Sequence, residues 1–235
     1  MKVPIRLLGI TAGAMCLHAQ SVVQYLVGKP IPDGNSSGLA DQQVVPGLPG
    51  RIVDLNVTLS ISGIGAGAYN GDLYATLQHE SGFVVLLNRS GRRTDNLLGY
   101  GDSGLDVTLD DSVMAPPISS YRLTLNGDHT IPLGGPLTGT WSTDGRNEDP
   151  DQVVLEASLP RTGLSAFVGL PAEGDWTLFV ADLDMGGEAR LDSWGLQFTV
   201  PEPADMGWAV GAALVLWGAC RRRRPVAVPG PRRGA

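Results

Sequence analysis

The sequence predicts an all-β fold, a β-sandwich or jelly roll of about eight to ten short strands, with an N-terminal signal peptide and a C-terminal hydrophobic helix. Three observations predict it. Apolar and polar side chains alternate with period two in several short runs, the pattern of half-buried strands. The chain holds 32 Gly and 17 Pro and no long amphipathic run, so turns rather than helices join these runs. The clearest alternation lies in Gly174–Val200, GDWTLFVADLDMGGEARLDSWGLQFTV. There Trp176, Leu178 and Val180 share one face of Asp175–Ala181, and Trp194, Leu196 and Phe198 share one face of Leu191–Val200. Between them lies an acidic, glycine-bearing loop, Asp182 to Glu188. The stretch therefore reads as a hairpin pinned to a core by two tryptophans.

The elements follow in order. Met1 to Ala19 resembles a secretory signal: Lys2 and Arg6 open it, Leu7 to Leu17 is largely apolar, and Ala19 suits a cleavage site. Gln20–Lys29 (QSVVQYLVGK) is a first short strand. Pro30–Gly50 carries IPDGNSSGL and VPGLPG and reads as a loop or an edge segment. Arg51–Ser62 alternates cleanly, with Ile52, Leu55, Val57, Leu59 and Ile61 expected in the core. Asp72–Gln78 and Phe83–Asn88 form a hairpin around His79-Glu80-Ser81-Gly82. Leu105–Leu109 is a strand. Tyr121–Asn126 alternates and reads as another. Thr130–Pro150 is mostly turns, and Asp151–Glu156 is a short strand. No repeat of fixed period is present.

After Val200 the character changes. Pro201-Glu202-Pro203-Ala204 breaks any strand, Met206–Cys220 carries no charge, and Arg221–Arg224 follows at once. As a helix the uncharged segment spans roughly 22 Å, against about 30 Å of bilayer hydrocarbon, so it needs extension or local thinning to cross. The arginines predict a cytoplasmic C-terminus with the body on the far side. The expected boundaries are a leader at 1–19, a body at 20–200, an anchor or sorting segment at 201–224 and a disordered tail at 225–235.

Charge and cysteine narrow the function classes. The body 20–200 has 9 Lys+Arg against 22 Asp+Glu. Such an acidic surface repels phosphates and excludes nucleic acid as a partner, while it favours solubility and cations. Both cysteines, Cys16 and Cys220, lie in the end segments, so the body has no disulfide framework and no thiolate metal site.

Two resemblances follow from these residues. The Val200-Pro201-Glu202-Pro203-Ala204 run, the short apolar segment and the terminal arginines together resemble the PEP-CTERM sorting signal of Gram-negative bacteria. That resemblance implies processing at Pro201, Glu202 and Pro203 by an exosortase, with passage through the membrane by 206–220. It also implies an exported product, transiently anchored and then held in the envelope, at the surface or outside the cell. The tail beyond the arginines is longer than the pattern. The body is similar to the P/Homo B domain, the proprotein convertase P domain found beside subtilisin-like proteases. The matching pieces, in order, are Asp72-Leu73, Leu105–Ser112, Leu164–Gly169, Gly174–Leu178, Asp182 and Leu191–Leu196. The resemblance brings an association with serine-type endopeptidases, but the chain has no residues of the subtilisin-like catalytic domain, so an enzyme is not expected.

Candidate chemistry is sparse. Gly101-Asp102-Ser103-Gly104, preceded by His79 and Asp95, has the order of a His, Asp, Ser triad, yet the separations and flanking residues do not suit that mechanism. His129 lacks a second nearby His, and no phosphate loop is present. Asp72, Asp102, Asp110, Asp111, Asp182 and Asp184 lie at strand ends or loops, where aspartates cap turns. Calcium takes six to eight oxygens gathered from such loops, and the P-domain resemblance implies that Asp72 and Asp182, with Asp184, hold a calcium ion. Asn35, Asn56 and Asn88 head sequons that are chance matches in a bacterial protein. Trp176 and Trp194 suit a core better than a sugar platform.

The expected function is a non-catalytic, exported module for protein interaction or architecture at the cell surface or in the matrix, sorted by an exosortase. Its partners are then a protease or a surface polymer. One alternative is an accessory P domain that supports a separately encoded subtilisin-like serine protease. Another is a carbohydrate-binding module.

Overall fold

The computed structural model describes residues 18–201, apart from positions 49, 66 and 113. Nearly all of the expected leader, the Glu202-Pro203 half of the sorting motif, the apolar segment 206–220 and the tail lie outside the described residues. Among the described residues no helix is long and apolar enough to cross a membrane.

The described chain holds nine strands and one short α-helix. They are β1 (His18–Ile31), β2 (Leu39–Val45), β3 (Asp54–Gly63), β4 (Leu73–His79), β5 (Gly82–Asn88), β6 (Leu105–Leu109), α1 (Tyr121–Asn126), β7 (Leu137–Trp141), β8 (Gly174–Asp182) and β9 (Ala189–Pro201). A five-stranded sheet runs β1-β9-β3-β6-β7, and a four-stranded sheet runs β2-β8-β4-β5. All neighbours are antiparallel except β6 and β7.

One core lies between the sheets. Leu55, Val57, Leu59 and Ile61 of β3 are buried, as the alternation predicts, and Ile52 joins them. Trp176, Leu178 and Val180 enter from β8; Trp194, Leu196 and Phe198 enter from β9. The Trp176 ring meets Phe198 across the sheets at 5.5 Å and Phe167 at 5.1 Å. Burying an aromatic ring removes roughly 150–250 Å² from water. At about 25 cal/mol per Å² each tryptophan contributes on the order of 4–6 kcal/mol. Neither ring reaches solvent, so neither offers a platform for sugars.

The structure corrects several expectations. β8 and β9 are strands where the alternation placed them, but they are not a hairpin. β8 pairs with β2 and β4, β9 with β1 and β3, and the acidic loop carries the chain from one sheet to the other. Tyr121–Asn126 is helical, not extended. Gly127 closes it with φ +70° and donates its N–H to the Leu123 carbonyl. Its buried residues are Tyr121 and Arg122, whereas Leu123 and Leu125 face solvent. Asp151–Glu156 forms turns rather than a strand, with the Gln152 and Val153 amides bonded back to Asp149. The glycine- and proline-rich Pro30–Gly50 contains an edge strand, β2. Leu137–Trp141, expected among turns, pairs in parallel with β6. His18 and Ala19, at the end of the expected leader, lie in β1 opposite Pro201 and Val200.

Candidate functional site

A cleft of about 320 Å³ opens where β4 begins and β8 ends, lined by Tyr69, Asp72, Asn96, Leu98, Asp184 and Met185. Its base is acidic and its rim apolar. Leu98 is 67% and Met185 86% exposed.

The base follows from the strands. Period-two alternation on β8 places Asp182 on the face that carries Trp176, Leu178 and Val180. A carboxylate thus occupies an inward position. Asp182 is fully buried, and neither of its carboxylate oxygens has a hydrogen-bond partner among the described residues. Burial, with Asp72, Asp33 and Asp184 nearby, pushes its pKa from 3.8 to about 7 despite the Arg89 guanidinium. Asp72 sits at the mouth of β4, 5% exposed, with its carbonyl accepting from the Leu183 amide at 3.0 Å. Burial and Asp184 raise Asp72 to about 6, against the pull of Arg89.

Among the described residues Arg89 is the cation that pairs directly with these carboxylates. It leaves β5 with φ +52° and is 3% exposed. Its Nε donates to the Gly71 carbonyl at 3.1 Å, and its Nη2 bonds Asp184 and lies 3.7 Å from Asp72. Asp33 accepts from the Gly186 amide at 3.2 Å, in the loop that carries Asp184 and Met185. Gly71 is required by close approach: a Cβ there would stand 2.2 Å from the Leu98 carbonyl oxygen.

The structure therefore gathers the three aspartates expected at a site, Asp72, Asp182 and Asp184, at one end of the fold. It also adds Arg89 and Asp33, neither of them expected at a site. Arg89 stood in a sequon, Asn88-Arg89-Ser90, and Asp33 in a turn; neither carries a motif. The fit to calcium is partial. Asp182 presents two unpartnered oxygens, which a cation would satisfy. Yet among the described residues no three His, Cys, Asp or Glu side chains are grouped to hold a metal, and Arg89 holds Asp184.

The other flagged residues serve the loops. Asp102 is 4% exposed and accepts from Arg122 Nε at 2.7 Å, Arg122 Nη2 at 2.9 Å, the Tyr121 hydroxyl at 2.7 Å and the Leu133 amide at 2.7 Å. Burial opposes its ionisation, but these donors hold its pKa below the ordinary value. Asp111 accepts from the Thr143 and Leu164 amides, and Asp110 caps Ser112. His79, Asp95 and Ser103 are not assembled. The His79 ring contacts the carbonyls of Asp175 and Pro171 at 2.8 and 2.9 Å and stacks on Trp176, and Asp95 pairs with Arg93. The His129 ring meets the Tyr100 hydroxyl.

No family model matches the chain, and comparison with curated proteins gives no match. The two resemblances above thus rest on the residues that carry them. Among solved structures, a chain in the crystal structure of the Aeromonas sobria serine protease (ASP) and chaperone (ORF2) complex is similar at a TM-score of 0.41 and 14% identity. The match covers 80% of this chain but only 28% of that one. A likeness of that size fixes neither fold nor function.

Proposed function

We propose that the chain is a non-catalytic, exported β-sandwich module for protein interaction or architecture at the cell surface, and that the acid-based cleft is its binding end. The observation that carries this reading is the cleft itself. Asp72 and Asp184 line it with an exposed apolar rim, both pair with the Arg89 guanidinium, and the buried Asp182 feels Asp72, Asp33, Asp184 and Arg89 together. Clefts with a few convergent polar groups and perturbed carboxylates are where ligands bind. Delivery by a leader and retention by a Pro201-Glu202-Pro203 sorting signal belong to the same reading. The resemblance to P domains is what supports a sandwich of that type. The accessory role beside a separately encoded subtilisin-like protease rests on that resemblance alone; a protease that loses no stability when this chain is deleted would remove it.

Calcium belongs to this reading as well. Its support is the buried Asp182 with two free oxygens, to which Asp72 and Asp184 are neighbours. Calcium would compete with Arg89 for Asp184. A thermal melt of the full chain with millimolar calcium against chelator tests it: a higher Tm in calcium is expected, lost in Asp182→Asn. An unchanged Tm would end the calcium proposal and leave the cleft open to a basic side chain instead.

The module reading as a whole is tested in the native host. Mass spectrometry of the mature protein is expected to show a product lacking Arg221–Arg224. A photo-crosslinker at Met185 is expected to capture a discrete partner at the cell surface, and one at the far-end residue Val168 is not. Peptide hydrolysis by the purified chain would overturn the non-catalytic assignment.

A further inference from the structure

We infer that two copies of this chain pair antiparallel along β1, joining their five-stranded sheets into one. β1 is an edge strand, and among the described residues its outer side carries no strand partner. Unpaired strand edges template the addition of another strand, and proteins that avoid this place charges, prolines or bulges there. From Ala19 to Leu26 (AQSVVQYL) β1 has none of these: no charge, no proline, and unbroken register with β9. The bulge, Pro30 and the Lys29–Asp41 ion pair all lie beyond that run.

The other edges are blunted. β7 is five residues long and bent by Gly139 at φ +99°. β5 is covered by the Asp144 and Gly145 amides, which donate to the Leu86 and Val85 carbonyls. β2 is half the length of β1 and carries Asp41.

The exposed positions of β1 are also self-complementary. Gln20, Val22, Gln24 and Leu26 alternate outward, with Val22 65% and Leu26 90% exposed. A two-fold axis through Gln24 sets Val22 of one copy opposite Leu26 of the other, twice, with Gln24 facing Gln24. Directly opposed Cβ atoms lie about 4.5–5.5 Å apart, so both exposed apolar residues are covered at once. Moving the axis to Val23 or Tyr25 sets each of them against Gln or Gly. An axis between residues would put outward side chains opposite inward ones. The interface is isologous and closes at two. The acidic body opposes association over most of the surface, and this uncharged line is where that repulsion is weakest.

The test uses the full chain with Cys16→Ser and Cys220→Ser. A dimer is expected by sedimentation at tens of micromolar. Gln24→Cys is expected to form a covalent dimer on mild oxidation, because Cα atoms opposed across an antiparallel pair lie about 4.5–5.5 Å apart, within disulfide reach. Thr138→Cys on β7 is expected not to. Leu26→Lys is expected to give a folded monomer whose Tm, unlike that of the wild type, does not rise with protein concentration. Hydrogen exchange of wild-type β1 amides, slower as concentration rises, reads the same pairing without a substitution. A monomeric wild type, a dimer that survives Leu26→Lys, or equal cross-linking through Thr138→Cys would overturn the inference.

Discussion

Replacing Asp182 by Asn is expected to stabilise the protein most above neutral pH, with the difference vanishing below the unfolded value of 3.8. Asn keeps the shape and removes a charge that has no partner. In the fold the carboxyl titrates at about 7 instead of 3.8. The folded state therefore holds its proton where the unfolded chain has released it. The sign follows by linkage: this contribution is complete below the unfolded value and is lost as pH rises through about 7. About three pH units at about 1.4 kcal/mol each set an upper limit of about 4 kcal/mol. Asp72, raised to about 6, shares the same proton field, so roughly half of that limit is expected for Asp182 alone. For a domain of this size about 2 kcal/mol is a Tm difference of roughly 4–8 °C. Melts of wild type and variant from about pH 3.5 to 8.5 in chelator measure it. The curves are expected to coincide at low pH and diverge as pH rises, with the variant higher. Parallel curves, or a variant less stable at pH 8, would refute the reasoning. Calcium reverses the comparison, because the variant lacks the charge and one of the two oxygens that a metal would take.

Two further substitutions test the loops around the cleft. Arg122→Ala leaves Asp102 buried without its main partner, which costs about 3–5 kcal/mol; a urea midpoint lowered with unchanged slope is expected. Gly71→Ala drives a Cβ to 2.2 Å from the Leu98 carbonyl and 2.6 Å from the Tyr100 amide. Overpacking of that kind costs about 1–3 kcal/mol, and faster exchange of amides in 96–102 is expected to show where the strain falls.

The sheets were legible in the sequence because burial on one face writes itself as alternation. β3, β8 and β9 alternate over most of their length, and the tryptophans lie where that pattern puts them. The pairing of strands was not legible. A strand, a short loop and a strand read as a hairpin, but nothing in Asp182 to Glu188 says that the chain crosses to the other sheet. Tyr121–Asn126 misled for a related reason. Its leucines are exposed, and its buried residues, Tyr121 and Arg122, are fixed by Asp102, a partner distant in sequence. The site was half legible. Asp72 and Asp182 stood at strand ends. Extending the β8 alternation by one residue would have shown Asp182 pointing inward. Arg89 had no such signal, since its role depends on loops that meet only in the fold.

The arginines explain how a body without cysteines holds those loops. It has eight Arg and one Lys. Arg51, Arg89, Arg92, Arg122, Arg146 and Arg161 each donate to the carbonyl of a distant or looping segment: Gly169, Gly71, Leu97, His129, Val154 and Asp144 respectively. Arg89, Arg122 and Arg146 also pair with Asp184, Asp102 and Asp144, and all three are nearly or fully buried. A guanidinium has five donors in a fixed plane, so one side chain can satisfy a carboxylate and a backbone carbonyl together; an ammonium has three and no fixed plane. Irregular backbone leaves carbonyls that strands would have satisfied. The eight-to-one preference is therefore the chemistry of loop closure. The two sheets are held by apolar packing, while the loop layer that frames the cleft is held by charge-assisted bonds. Such bonds respond to pH and to cations, and the core does not. The cleft thus lies in the part of the fold that a bound cation or a change of protonation can reshape while the sheets stay as they are.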